Sequence, residues 1–157
     1  MPSVYLETSI VSYLRERPSD QIIAAARQVH TRRWWNSDRK RYELFISRFV
    51  LDEAALGSEV LAAERLKVLE GIPLLVLSED VFTLGTELLK RAVLPEKARI
   101  DALHIATAAV HEIDYLLTWN CKHIANALLV PKVNEIIKEQ GYAPTYICTP
   151  EELMSNE

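Results

Sequence analysis

Two segments decide the fold: Ala98-Arg-Ile-Asp-Ala-Leu-His-Ile-Ala-Thr-Ala-Ala-Val-His111 and, close behind it, Tyr115-Leu-Leu-Thr-Trp119 with Asn120 at its end. The first is apolar around nearly its whole circumference, so the helix predicted over Glu96–His111 must be buried on most sides. The second is a short, unbroken apolar run, the pattern of a strand covered on both faces. A buried helix feeding a buried strand calls for a parallel sheet with helices on either side. Working outward, Ser3–Leu6, Tyr42–Ser47, Leu74–Leu77 and Tyr146–Cys148 read as further strands. Helices are predicted over Ile10–Arg15 behind a Thr8 or Ser9 cap, about Asp20–Arg33, Ser47–Leu56, Ser58–Leu69, Val81–Ala92 and Val133–Gln140, with a last turn from Pro150. Asn-Gly hairpin dipeptides are absent. The expected architecture is a three-layer α/β/α domain over 1–157 with a central parallel sheet of about five strands.

The composition fits that reading. The 157 residues are 49% hydrophobic and 25% charged, an ordinary globular balance and not that of a disordered chain. No apolar stretch approaches the ~18 residues of a membrane span, and Glu7 interrupts the first apolar run, which argues against a secretory signal. Two cysteines, Cys121 and Cys148, imply reduced thiols and a cytoplasmic location. The net charge is −4, poor for nonspecific duplex binding. Six basic residues nonetheless lie between Arg27 and Arg41 (Arg27, Arg32, Arg33, Arg39, Lys40, Arg41) against the single acid Asp38. The glycines are isolated, which excludes a phosphate-cradling Gly-x-Gly-x-x-Gly turn and a Gly-x-Ser-x-Gly nucleophile elbow. Cys121, His123, His104, His111 and Cys148 do not have the spacing of a zinc site.

The informative residues are carboxylates in awkward places. Glu7 follows an apolar strand and precedes a helix, which in a right-handed parallel sheet is the carboxyl rim where ligands bind. Asn120 ends its strand in the same way. Glu53 lies on an apolar helical stripe with Phe49, Val50 and Leu56, and has no local partner, whereas the adjacent Asp52 can pair with Arg48. Asp101 shares a face with His104, Ile105 and Ala108 near a helix start. Glu7, Glu53, Asp101 and Asn120 can therefore converge. Clustered carboxylates repel one another unless a cation neutralises them, and oxygen ligation suits Mg²⁺ or Mn²⁺. Such a site can activate a water and stabilise charge on a phosphodiester.

The same residues resemble the PIN-domain ribonucleases, especially VapC-like toxins of type II toxin–antitoxin systems. The matching segments are Val4-Tyr-Leu-Glu-Thr-Ser9, Ser47 through Glu53, Asp101-Ala-Leu-His-Ile-Ala-Thr-Ala108 and Leu116-Leu-Thr-Trp-Asn120. The resemblance spans about Val4 to Met154. It implies a PIN-like α/β/α fold, Mg²⁺- or Mn²⁺-dependent RNA cleavage, a homodimer and an antitoxin protein as partner. Glu7, Glu53, Asp101 and Asn120 fall at the family's acidic positions, with Glu7, Glu53 and Asp101 as metal ligands. The family usually has Asp where this chain has Glu7 and Asn120.

Each residue also has an ordinary explanation. Asp101 can favour the helix dipole, Glu7 can cap a helix, and Asn120 can serve a turn. Ser9 and Thr118 can lend hydroxyls to substrate, although Ser9 is equally an N-cap. Arg32 and Arg33 read as surface contacts to RNA or an acidic partner, and Trp34-Trp35 either as a stacking surface for RNA bases or, at least as readily, as a core-packed pair at a helix end. His104 and His123 read as structural histidines, His104 near enough to Asp101 to support it. The expected function is a metal-dependent endoribonuclease. The alternative is a weakened PIN-like module that binds RNA or a protein without cleavage, and a small-phosphate phosphohydrolase is a weaker third.

Overall fold

A computed structural model describes residues 1–155; Asn156 and Glu157, the end of the expected 1–157 domain, lie outside the described residues. Strands β1 (Ser3–Leu6), β2 (Glu43–Phe45), β3 (Tyr115–Leu117) and β4 (Tyr146–Cys148) form one parallel sheet in the order β2-β1-β3-β4. Val4, Tyr5 and Leu6 are all buried, as are Leu116 and Leu117, so consecutive side chains on both faces of the central strands are covered. The covering helices fall into two groups. Helix α1 (Thr8–Arg15) packs against α2 (Ile22–Arg33), α3 (Arg48–Ala54) and α4 (Glu59–Leu69). Helix α5 (Glu79–Arg91) packs against α6 (Arg99–Val110) and α7 (Val130–Glu139). This is the α/β/α sandwich expected from the sequence. None of the helices is long and apolar enough to cross a membrane among the described residues.

Among the described residues the sheet has four strands, where the sequence suggests about five. Leu74–Leu77 contributes only a single bridge, Leu74 to Ile46, built from the Ile46 amide on Pro73 O and the Leu75 amide on Ile46 O. The segment lies outside the edge strand β2, where Leu74 and Val76 are 51% and 70% exposed, so no second layer covers it and the pairing stops after one rung. Other boundaries shift modestly. Helix α3 stops at Ala54 and Gly57 takes φ +85°, while α4 ends before Gly71 at φ +81°; both glycines occupy the left-handed conformation that ends a helix. Helix α7 starts earlier than its apolar spacing suggests, with Pro131 in its first turn.

Trp34 is fully buried and stacks on Tyr42, which meets Tyr115 edge-on. The Trp34-Trp35 pair is thus packing, with the Arg39 guanidinium lying over the Trp35 ring. Both cysteines are free, Cys121 exposed and Cys148 buried, and burial pushes the Cys148 thiol up to about 12.

Helices α5 and α6 approach closely at Gly85. A Cβ there would stand 2.6 Å from Leu103 Cδ2 and 3.3 Å from its Cγ, and Leu103 is itself in the core. Gly85→Val is expected to lower the free energy of unfolding by about 1–3 kcal/mol through overpacking, read as a lower denaturant midpoint at unchanged slope.

Candidate functional site

Glu7 is the first residue beyond β1 and its amide still pairs with Leu117 O, so the strand delivers it to the carboxyl rim between β1 and β3. The residue is only 5% exposed. It is also the N-cap of α1, a role the sequence assigns to Thr8 or Ser9. Its Oε1 accepts from the Ser9 amide at 3.1 Å, from the Ser9 hydroxyl and from the Thr118 hydroxyl at 2.6 Å. Charge-assisted hydrogen bonds of this kind make an ionised carboxylate tolerable under the surface. All three go to a single oxygen.

Glu53, on the last turn of α3, follows the same pattern. Its Oε1 accepts from the Thr8 hydroxyl at 2.6 Å and lies 2.6 Å from His104 Nε2. Although burial works against its charge, the His104 and Thr8 hydrogen bonds hold its pKa below the ordinary value. His104, on α6, is fully buried. Burial opposes its protonation, but the hydrogen bond it donates to Glu53 and the field of Glu7, Glu53 and Asp101 raise its pKa overall. The sequence places His104 beside Asp101; in the fold its hydrogen bond goes to Glu53.

Asp101 stands alongside. Its Oδ2 lies 3.2 Å from His123 Nδ1, and the Asn120 side chain also hydrogen-bonds it. Burial is the main reason that its pKa is raised, with the negative charge of Glu53 adding to the effect. Asn120 Oδ1 accepts from the amides of Lys122 and His123 at 3.2 and 2.9 Å. The turn explanation for Asn120 therefore holds, and the turn has a use, since it brings His123 to Asp101. Sequence reasoning missed this contact; the spacing of Asn120 and His123 within one tight turn was the available signal.

Among the described residues, Glu7, Glu53 and His104 offer ligand atoms all within 4.8 Å of one another. Asp101 is not in that tight group, although it senses the charges of Glu53 and His104. The hydrogen-bond partners of the three carboxylates are hydroxyls, imidazoles, an amide and a carboxamide. No hydrogen bond from a described residue reaches Oε2 of Glu7 or of Glu53. Carboxylate oxygens close together and without lysine or arginine at their hydrogen-bonding atoms are a donor set that fits a hard divalent cation.

Ser9 and Thr118 are at the site, but both spend their hydroxyls on Glu7; Ser9 Oγ also accepts from the Trp119 amide at 2.8 Å. Arg32, half-buried, and Arg33, exposed, close α2 just after Thr31, whose hydroxyl accepts from the Trp119 indole, and neither hydrogen-bonds to the acids. The basic residue nearer the rim is Arg27, whose guanidinium lies 5.3 Å from the Trp119 ring centre and 5.9 Å from that of Tyr13. It borders a groove of about 570 Å³ shared with Ile22, Ile23, His30, Trp119 and Cys121.

No protein-family model matches the chain, and no curated protein matches it. Solved structures do. The crystal structure of VapBC2 from Rickettsia felis bound to a DNA fragment from their promoter superposes with a TM-score of 0.58 at 16% sequence identity, covering 93% of this chain and 97% of the other. The fold is therefore similar to the VapC-like PIN fold across nearly its whole length.

The Glu53–His104 pair sets a pH dependence of stability. Glu53, lowered from 4.5, stabilises the fold above that value and stops doing so as pH falls through its lowered pKa. His104, raised from 6.5, stabilises the fold below that value and stops doing so as pH rises through its raised pKa. The pair's contribution is expected to be greatest between these two ordinary values. The difference in unfolding free energy between the native protein and His104→Leu, measured by denaturant titration across pH, should peak there; a flat difference would contradict the pairing.

Proposed function

We propose that the chain is a divalent-metal-dependent endoribonuclease of the PIN type and the toxin of a toxin–antitoxin pair. One observation carries the reading: at the carboxyl rim, Glu7 and Glu53 each have one oxygen saturated by donors and the other without a protein partner, with Asp101 beside them. The VapC-like fold supports it. In this reading Glu7, Glu53 and Asp101 hold Mg²⁺ or Mn²⁺. When bound, the ion supplies Lewis acidity to a water and to the phosphodiester.

The chain's own residues do the positioning. Ser9 and Thr118 fix Glu7, Thr8 and His104 fix Glu53, and His123 and Asn120 fix Asp101. Asn120 acts here through Asp101, since its carbonyl oxygen is committed to the turn. Arg27, seated over Trp119 at the rim, is placed to meet a phosphate of single-stranded RNA. Arg32 and Arg33, further along the same helix, would meet the same RNA. The proposal includes an antitoxin protein as partner and a homodimer, as the family resemblance implies.

Purified protein with single-stranded RNA and Mn²⁺ is expected to release fragments, to stop on chelation, and to lose at least roughly 100-fold in rate on Asp101→Ala or Glu53→Ala. Equal cleavage by native protein and Asp101→Ala would defeat the proposal. The committed carbonyl of Asn120 favours a second reading, a PIN-like module that binds RNA or a protein without cutting. Retained RNA affinity with no cleavage, and no Mn²⁺ heat signal in titration calorimetry, would select it.

A further inference from the structure

Behind Glu53 lies a hydrogen-bonded chain that the nuclease reading does not use. The Tyr5 hydroxyl, on a strand side chain with no solvent exposure, lies 2.7 Å from Ser47 Oγ and 2.6 Å from His104 Nδ1. Ser47 and His104 are equally buried. His104 Nε2 then reaches Glu53 Oε1 at 2.6 Å. An ionised carboxylate offers only acceptors, so whichever charge the imidazole has, Nε2 must bear a proton directed at Glu53. With a neutral ring, Nδ1 accepts from the Tyr5 hydroxyl, which accepts from Ser47. With a charged ring both bonds reverse, and the Ser47 hydroxyl becomes the acceptor that ends the chain.

We infer that Ser47, Tyr5 and His104 are a positioning relay that fixes which oxygen of Glu53 faces a metal ion. The relay occupies Oε1 together with Thr8 and leaves Oε2 as the ligand atom. It is anchored in the sheet through β1, so the orientation of Glu53, on the short helix α3, is set by the most deeply buried strand of the fold. His104 in this role is a positioning residue and not a ligand. Partners of this kind behind a metal ligand commonly govern affinity by roughly 10–100-fold. The inference rests on the proposed metal site.

The test uses Mn²⁺ as probe, with calorimetry for affinity, electron paramagnetic resonance for nitrogen coupling, and thermal unfolding to count folded protein. His104→Leu is expected to weaken Mn²⁺ binding by roughly 10–100-fold per folded molecule. His104→Gln, which keeps an N–H near the Nε2 position, should recover most of that loss. Tyr5→Phe, which keeps the ring and loses the hydroxyl, should weaken binding several-fold. The native protein should show no directly bound nitrogen. Unchanged affinity in folded His104→Leu would overturn the relay and leave the nuclease reading standing, and a strong nitrogen coupling would overturn it by making His104 a ligand. Failure of the native protein to bind Mn²⁺ at all would remove both.

Discussion

Charged carboxylates can be kept under a protein surface only if something replaces the water they give up. At this carboxyl rim the replacement is local and asymmetric. Glu7 takes an amide and two hydroxyls on one oxygen; Glu53 takes a hydroxyl and an imidazole on one oxygen. Half of each group is thereby bound into the protein and half is left over. In the proposed reading the leftover oxygens are the ones a cation would meet, and the bound ones explain why so many short polar side chains crowd one end of the sheet.

The sheet makes this arrangement possible. Its central strands are covered on both faces, so neither Glu7 nor Thr118 has anywhere to go except forward from the strand ends. Parallel neighbours bring those ends out side by side, and α6 adds Asp101 and His104 from its amino-terminal half. Helix α2 is tied in as well. Its Thr31 accepts from the Trp119 indole at 2.8 Å, and Trp119 in turn donates its amide to Ser9. The peptide after β3 thus links an outer helix to Ser9 in the first turn of α1.

Much of this was legible in the sequence, for reasons that differ by element. Unbroken apolar runs report burial on two faces, and β1 and β4 begin and end where those runs do. Leu74–Leu77 has the same look and fails as a strand, because composition says nothing about whether a neighbour exists to pair with it. The acids were recognisable because a carboxylate on an apolar stripe demands an explanation. Their partners were not: helical spacing relates His104 to Asp101 on one helix, whereas the bond it makes, to Glu53, crosses between two elements distant in sequence. Tyr5 was hidden for a similar reason. A tyrosine in a buried strand reads as an apolar ring until the position of its hydroxyl is known. Arg32 and Arg33 stood out as part of a charge cluster, but spacing alone could not say that Arg27 is the member of it that lies over the Trp119 ring.

The reach of the side chain at position 7 has its own consequence. One oxygen there serves donors from two separate elements, the amide that opens α1 and a hydroxyl buried at the end of β3. A shorter acid can still cap a helix, so what the longer side chain adds is its reach to the buried Thr118 hydroxyl on the neighbouring strand. The extra methylene thereby ties the start of an outer helix to the end of β3 through one atom.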